Sequence, residues 1–138
     1  MNYWLVKSEP SSWSWDDQVK VGTTNWNGVR NAQATINLKA MRVGDLAFFY
    51  HSNEGKEIVG VVKIVREFYP DPADETGKFG MVDVQAVEKL KRPVTLAEAK
   101  ADSVLANMVL VKFSRLSVQP VTPAEWQHVA KLGGVEAA

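Results

Sequence analysis

One α/β or α+β domain is the fold class this sequence predicts, on three observations. The chain has 138 residues, the length of one ordinary domain and enough to bury roughly two thirds of its unfolded surface. Five or six strand-like segments are interleaved with about four short helix patterns, the mixture that builds a layered α/β or α+β unit. No internal repeat or low-complexity segment interrupts them. The expectation is a single domain over 1–138.

The elements follow in order. Tyr3, Trp4, Leu5 and Val6 form an apolar β-favouring run, so residues 2–7 read as a strand, and Ser8-Glu9-Pro10 turns the chain. Ser14 is placed as the N-cap of a short helix with Asp16 and Asp17 in its first turn, and Gly22 ends it. Trp13 and Trp15 read as lids on the core rather than as ligand stackers. Residues 31–41 predict a helix with an apolar stripe of Ala34, Leu38 and Met41, Ile36 and Ala40 lying beside it, and Arg30 and Asn31 opening its first turn. Residues 46–50 are a continuous apolar run, as a strand buried on both faces requires, and end in Tyr50-His51-Ser52-Asn53. Residues 57–68 predict a long central strand paired with it as a hairpin, with Gly60 marking a bulge or a close approach.

The proline- and acid-rich stretch 70–78 reads as a hairpin connection. Residues 81–90 predict a half-exposed strand ended by Pro93, and Thr95 opens a helix with Glu98 in capping-box spacing. Residues 104–108 add a helical turn, and 109–113 read as another apolar strand. In 114–120, Arg115, Ser117 and Gln119 alternate with Leu116 and Val118. Thr122-Pro123-Ala124-Glu125 is a second capping box, opening a helix whose apolar face is Trp126, Val129 and Ala130, and which Gly133-Gly134 stops.

Composition narrows the chemistry. Sixteen basic and sixteen acidic residues cancel, and they balance within each half, so attraction of polyanions through bulk charge is excluded; nucleic-acid binding here must rest on a local patch and a specific pocket. Without cysteine there is neither disulfide nor thiolate chemistry. The two histidines, His51 and His128, have no ligand-spaced partner, so no metal is expected. Phosphate-loop, dinucleotide and nucleophile-elbow patterns are missing, and no cofactor follows. A hydrolase assembled from Ser8, Glu9 and His51 has no support from spacing. The reading is therefore not an enzyme. No signal peptide or membrane-length apolar run is seen, so a cytoplasmic location is expected.

The stretch Trp26-Asn27-Gly28-Val29-Arg30-Asn31 concentrates recognition chemistry. Trp26 offers a flat face, the two amides offer donors and acceptors, and Arg30 offers a fork of five donors. Gly28 permits close backbone approach or a positive φ. Together they suit a flat ligand with a polar edge, such as a nucleobase. A buried Trp, a turn and an arginine on a carbonyl account for the same residues equally well. For His51, a loop role and a pocket role are both open.

Residues 3–10, 26–31, Gly44-Asp45 leading to Phe49-Tyr50-His51-Ser52, and 115–121 before the helix at Trp126 together resemble the EVE domain, with blocks in matching order from about residue 2 to 132. The resemblance implies a PUA-like fold: a small curved mixed sheet close to a barrel, surrounded by short helices. It implies a non-catalytic reader of a modified base in DNA or RNA, working as a monomer. The implied pocket is Lys7, Ser8 and Glu9, with Trp26, Gly28, Val29, Arg30 and Asn31, and with Tyr50, His51 and Ser52. Lys56, Arg115, Ser117 and Gln119 are candidates for its phosphate-holding rim. In this expectation Trp26 stacks on the base, Ser8, Asn31 and the 50–52 strand end read its edge, and Lys7 and Arg30 hold phosphate. The alternative is a nucleoside or small-molecule sensor, or a cryptic enzyme, using the same pocket. A basic rim would favour a polymer and a closed rimless pocket a small molecule.

Overall fold

Runs of β-branched and aromatic residues set the frame. The computed structural model describes residues 1–136, which form six strands and five helices. In chain order they are β1 (Tyr3–Ser8), α1 (Trp15–Val21), β2 (Thr23–Asn25), α2 (Ala32–Ala40), β3 (Leu46–His51), β4 (Glu57–Pro70), β5 (Gly80–Thr95), α3 (Leu96–Ala101), α4 (Val109–Lys112), β6 (Val118–Val121) and α5 (Pro123–Gly133). The strands make one mixed sheet in the order β2-β5-β4-β3-β1-β6. β1 pairs parallel with β3, and every other pairing is antiparallel.

Strand parity distributes the core onto two faces. Trp4 and Val6 of β1, with Ala47 and Phe49 of β3, join Trp15, Trp26, Leu38 and Met41 under α1 and α2. Leu5, Phe48 and Tyr50 point the other way, into a cluster with Leu105, Leu110 and Trp126. Because both faces are covered, β1 and β3 are apolar without alternation. Tyr3, Trp126 and Phe48 stack in series, with ring centroids 4.6 and 3.8 Å apart.

The ends of the helices follow from their caps. Ser14 and Asp17 form a reciprocal capping box, as do Thr122 and Glu125. At α3 only half the box forms: Thr95 accepts from the Glu98 amide, while the Glu98 carboxylate pairs with Arg92 instead. Among the described residues no helix is long and apolar enough to cross a membrane, and no group of three or more His, Cys, Asp and Glu side chains is placed to hold a metal.

Several sequence expectations are corrected. Residues 109–113 are not a strand: Val109–Lys112 is a helical turn that drives Leu110 into the core. The strand near 115–120 is shorter than expected and begins at Val118. Pro93 does not end β5, which runs on to Thr95. Pairing with β4 jumps from Gly60↔Lys89 to Ile58↔Val94, so Pro93 lies in the skipped segment, where no ladder hydrogen bond needs its missing amide hydrogen. Ile36 and Ala40 are exposed, and the buried face of α2 instead contains Thr35 and Asn37. Those polar groups are satisfied by the Asn31 and Val118 carbonyls.

Candidate functional site

The first cavity, about 400 Å³, lies between the C-terminal end of β1 and the segment around β2. Lys7, Ser8, Ser12 and Trp13 line one side, and Thr24, Asn25, Trp26 and Asn27 the other. β1 and β2 are separated by three strands in the sheet order, so they share a cavity only because the sheet curls back toward itself.

Each wall is fixed by its local structure. Trp13 precedes the N-cap of α1, and its indole N–H donates to Gln18 Oε1 (2.9 Å), which locks the half-buried ring. Ser8 Oγ donates to the Trp13 carbonyl (2.6 Å), tying β1 to the same loop. Trp26 is 7% exposed and packs edge-on against Phe49, centroids 5.4 Å apart. It is thus a core residue that gives one small patch to the cavity. Its backbone amide donates to the Val82 carbonyl, extending the β2–β5 edge.

The predicted block 28–31 is held by a residue of the loop between β4 and β5. Asp71 is buried, and Gly28 N–H and Arg30 Nη1 both donate to its Oδ2, at 3.2 and 3.1 Å. Amide hydrogen bonds from Ala73 and Gly28, and then Arg30, hold its carboxyl below the usual carboxylate range. Gly28 takes φ +78°, where a side chain would be strained. Asp74, lowered to about 2 by Thr76 and the Phe79 amide, fixes the rest of the loop. Arg30 lies over the Phe79 ring, so the guanidinium ties the two loops together while its side chain stays 40% exposed. Val29 is buried in the core.

Parity divides the remaining predicted residues. In the β1–β3 register Ser8 pairs with His51 and Lys7 with Tyr50, so these pairs face opposite sides of the sheet. Lys7, at the strand end, lines the first cavity and also a second of about 220 Å³ that includes Tyr50, Ser52, Asn53 and Lys56. Its ammonium donates to the Ser114 carbonyl (2.7 Å) and lies 5.6 Å from the Tyr50 ring centroid. Burial lowers its pKa and raises that of Tyr50. His51 Nε2 accepts the Trp15 amide hydrogen (3.0 Å), which makes it an acceptor at the first turn of α1. Burial lowers its pKa against the pull of Glu57 and Asp16. Glu9 is exposed and accepts from Asn53 Nδ2.

The other expected roles shift. Asn31 is the N-cap of α2, its Oδ1 taken by the Ala34 amide, and it borders a shallow groove with Arg115 outside the first cavity. Gln119 is fully buried and its amide donates to the Phe113 and Leu116 carbonyls; it is a strut, not a rim residue. Ser117 is half-buried, and its carbonyl accepts from the Lys7 amide. Ser12, Trp13, Thr24 and Asn25 are cavity residues not expected from the sequence, and Asn27 of the recognition stretch joins them. For Trp13 the signal was its position just before the Ser14 cap, which leaves a side chain outside the helix it introduces.

A curved, mixed six-stranded sheet with short helices and an open polar–aromatic cavity at a strand end defines a PUA-like protein. The chain belongs to the EVE domain family, which it matches over residues 2–132. It is similar to a Rhodopseudomonas palustris protein solved by NMR, at 61% identity and a TM-score of 0.92, over 97% of this chain and 94% of that one. It is also similar to human THYN1 protein, crystallised in complex with 5-methylcytosine-containing DNA, at 40% identity and a TM-score of 0.87, over 99% of both chains. Thymocyte nuclear protein 1 of Homo sapiens is 40% identical over 166 residues, 95% of this chain and 73% of that protein.

Proposed function

We propose that this chain is a non-catalytic reader of a modified base in nucleic acid, acting as a single monomeric module, and that the base enters the cavity between Trp13 and Trp26. The observation that carries this is the lining of that cavity. Two indoles, hydroxyls and side-chain amides surround a space within the roughly 300–1,000 Å³ range of small-ligand clefts, with one lysine and no carboxylate. Aromatic faces attract any base, and amides and hydroxyls discriminate its edge.

A base inside a duplex cannot reach such a cavity, so the substrate is single-stranded or is extruded from the stack. The complex of human THYN1 with 5-methylcytosine-containing DNA makes 5-methylcytosine the first modification to test. Ser8 Oγ donates to the Trp13 carbonyl, Lys7 Nζ to the Ser114 carbonyl, and His51 is committed to the Trp15 amide, which supports recognition over turnover. The lysine-bearing neighbouring cavity supports a polymer over a free nucleoside, because a polymer must be held by its phosphates.

The test is a binding screen of modified and unmodified oligonucleotides alongside the free nucleosides. Tighter binding of the 5-methylcytosine oligonucleotide than of its plain twin is expected. Equal affinity for free nucleoside and oligonucleotide would instead make the protein a small-molecule sensor.

A further inference from the structure

Three concavities run side by side from the first cavity. It shares Lys7 with the cavity at Tyr50 and Lys56, and that one shares Ser114 with the groove formed by Phe113, Arg115 and the start of α2. Lys7 lines the first two, Lys56 the second and Arg115 the third, and among the described residues no carboxylate lines any of them. Glu9 stands beside this track with its carboxylate engaged by Asn53. In a molecule with no net charge, a path with three cations and no acid is a local complement to a phosphate chain.

At the far end of the path stands Phe113, 63% exposed; the other strongly exposed large apolar side chains among the described residues are aliphatic. A lone exposed apolar residue is ordinary. Phe113 differs because the loop carrying it is immobilised. The buried Gln119 amide donates to the Phe113 and Leu116 carbonyls at 3.3 and 2.8 Å, and Lys7 donates to the Ser114 carbonyl at 2.7 Å. The Phe113 amide closes the last turn of α4 on the Val109 carbonyl. An exposed ring on a fixed backbone, with Arg115 two residues on, loses little freedom on binding a flat partner.

We propose that Phe113 is a stacking platform for an unpaired base near the one held between Trp13 and Trp26, with Lys56 and Arg115 on the intervening phosphates. This rests on the base-reading function proposed above and extends it from one nucleotide to a short strand. It also gives Gln119 a role, since that side chain positions the platform from beneath.

The test is a double-mutant cycle between protein and ligand. Fluorescence anisotropy would compare wild type, Phe113→Ala and Phe113→Trp. The ligands are a single-stranded oligonucleotide of about ten nucleotides with one central 5-methylcytosine, its unmodified twin, and a version whose flanking positions are abasic. Phe113→Ala is expected to weaken both natural oligonucleotides about tenfold, to leave the modified-to-plain ratio unchanged, and to have no further effect on the abasic-flanked ligand. Phe113→Trp restores binding. Undiminished binding by Phe113→Ala overturns the proposal. An equal loss on the abasic-flanked ligand also overturns it. If wild type shows no modified-base preference while Phe113→Ala still loses affinity only for the natural flanks, the platform stands and the base-reading function fails. Absence of all oligonucleotide binding ends both.

Discussion

At the scale of the residue, the site is governed by which hydrogen-bonding groups are already occupied. His51 looked equally suited to a loop or a pocket, and its Nε2 is spent on the Trp15 amide. Burial depresses its pKa from 6.5, so folding favours the neutral ring. The stability this provides is therefore complete above pH 6.5 and declines as pH falls from there through the folded-state pKa. Denaturant midpoints measured between about pH 7.5 and about pH 5 should fall more in wild type than in His51→Gln, which stays neutral and offers an acceptor oxygen. Parallel curves would remove His51 from this role. Asp71 is the second such residue. Asp71→Ala strands the Gly28 amide and the Arg30 guanidinium, and should cost about 1–3 kcal/mol in equilibrium unfolding. Asp71→Asn, which keeps an acceptor, should recover part of the loss. Neither assignment was legible beforehand. Asp71 lies 41 residues from Arg30 in sequence, and nothing local distinguishes it from the other acids of its loop.

At the scale of the element, what was legible is what burial on both faces imposes. The apolar runs of β1, β3 and β4, rich in β-branched and aromatic residues, read as covered strands, and the serine and threonine caps of α1 and α5 stand where expected. Short elements escaped for definite reasons. Thr23–Asn25 is a polar edge strand held by backbone pairing to β5, which leaves no hydrophobic period to read. Residues 109–113 escaped because Val109, Leu110, Val111 and Phe113 around Lys112 do not distinguish a strand from one buried helical turn. Gly60 was read as a bulge or a close approach, and it is both. The register shifts beside it, and a Cβ there would lie 2.4 Å from the Trp15 ring. Gly60→Ala should accordingly destabilise by about 1–3 kcal/mol through overpacking, read as a lower denaturation midpoint. An unchanged midpoint would mean that α1 is free to lift off the sheet. The two tryptophans flanking Ser14 should separate in the same assay. Trp15→Ala empties a core site at a cost of about 3–5 kcal/mol, whereas Trp13→Ala, which strands the buried Gln18 Oε1, should cost about 1–3 kcal/mol and weaken oligonucleotide binding.

At the scale of the whole molecule, the zero net charge that argued against nucleic-acid binding describes the average surface and not the relevant face. Folding assembles Lys7, Lys56 and Arg115 along adjoining concavities without a carboxylate, although they lie far apart in sequence. The sequence could nominate these cations but not their grouping, because grouping is a product of sheet curvature and of the loop strut at Gln119. Phosphate contacts by Lys56 and Arg115 predict a shallow dependence of log affinity on log salt, a slope of about −1.5 to −2. Lys56→Ala should reduce it by roughly 0.7–0.9 without changing base preference. A slope near −6 or steeper would mean that a broader surface carries the binding.

The central claim is that the modified base lies between Trp13 and Trp26. The most direct measurement is an intermolecular NOE experiment with an oligonucleotide carrying a 13C-labelled methyl on one 5-methylcytosine. The account predicts cross-peaks from that methyl to the indole protons of Trp13 and Trp26. Cross-peaks to Tyr50 and Ser52 instead, or to Phe113 alone, would place the base in another concavity and contradict it.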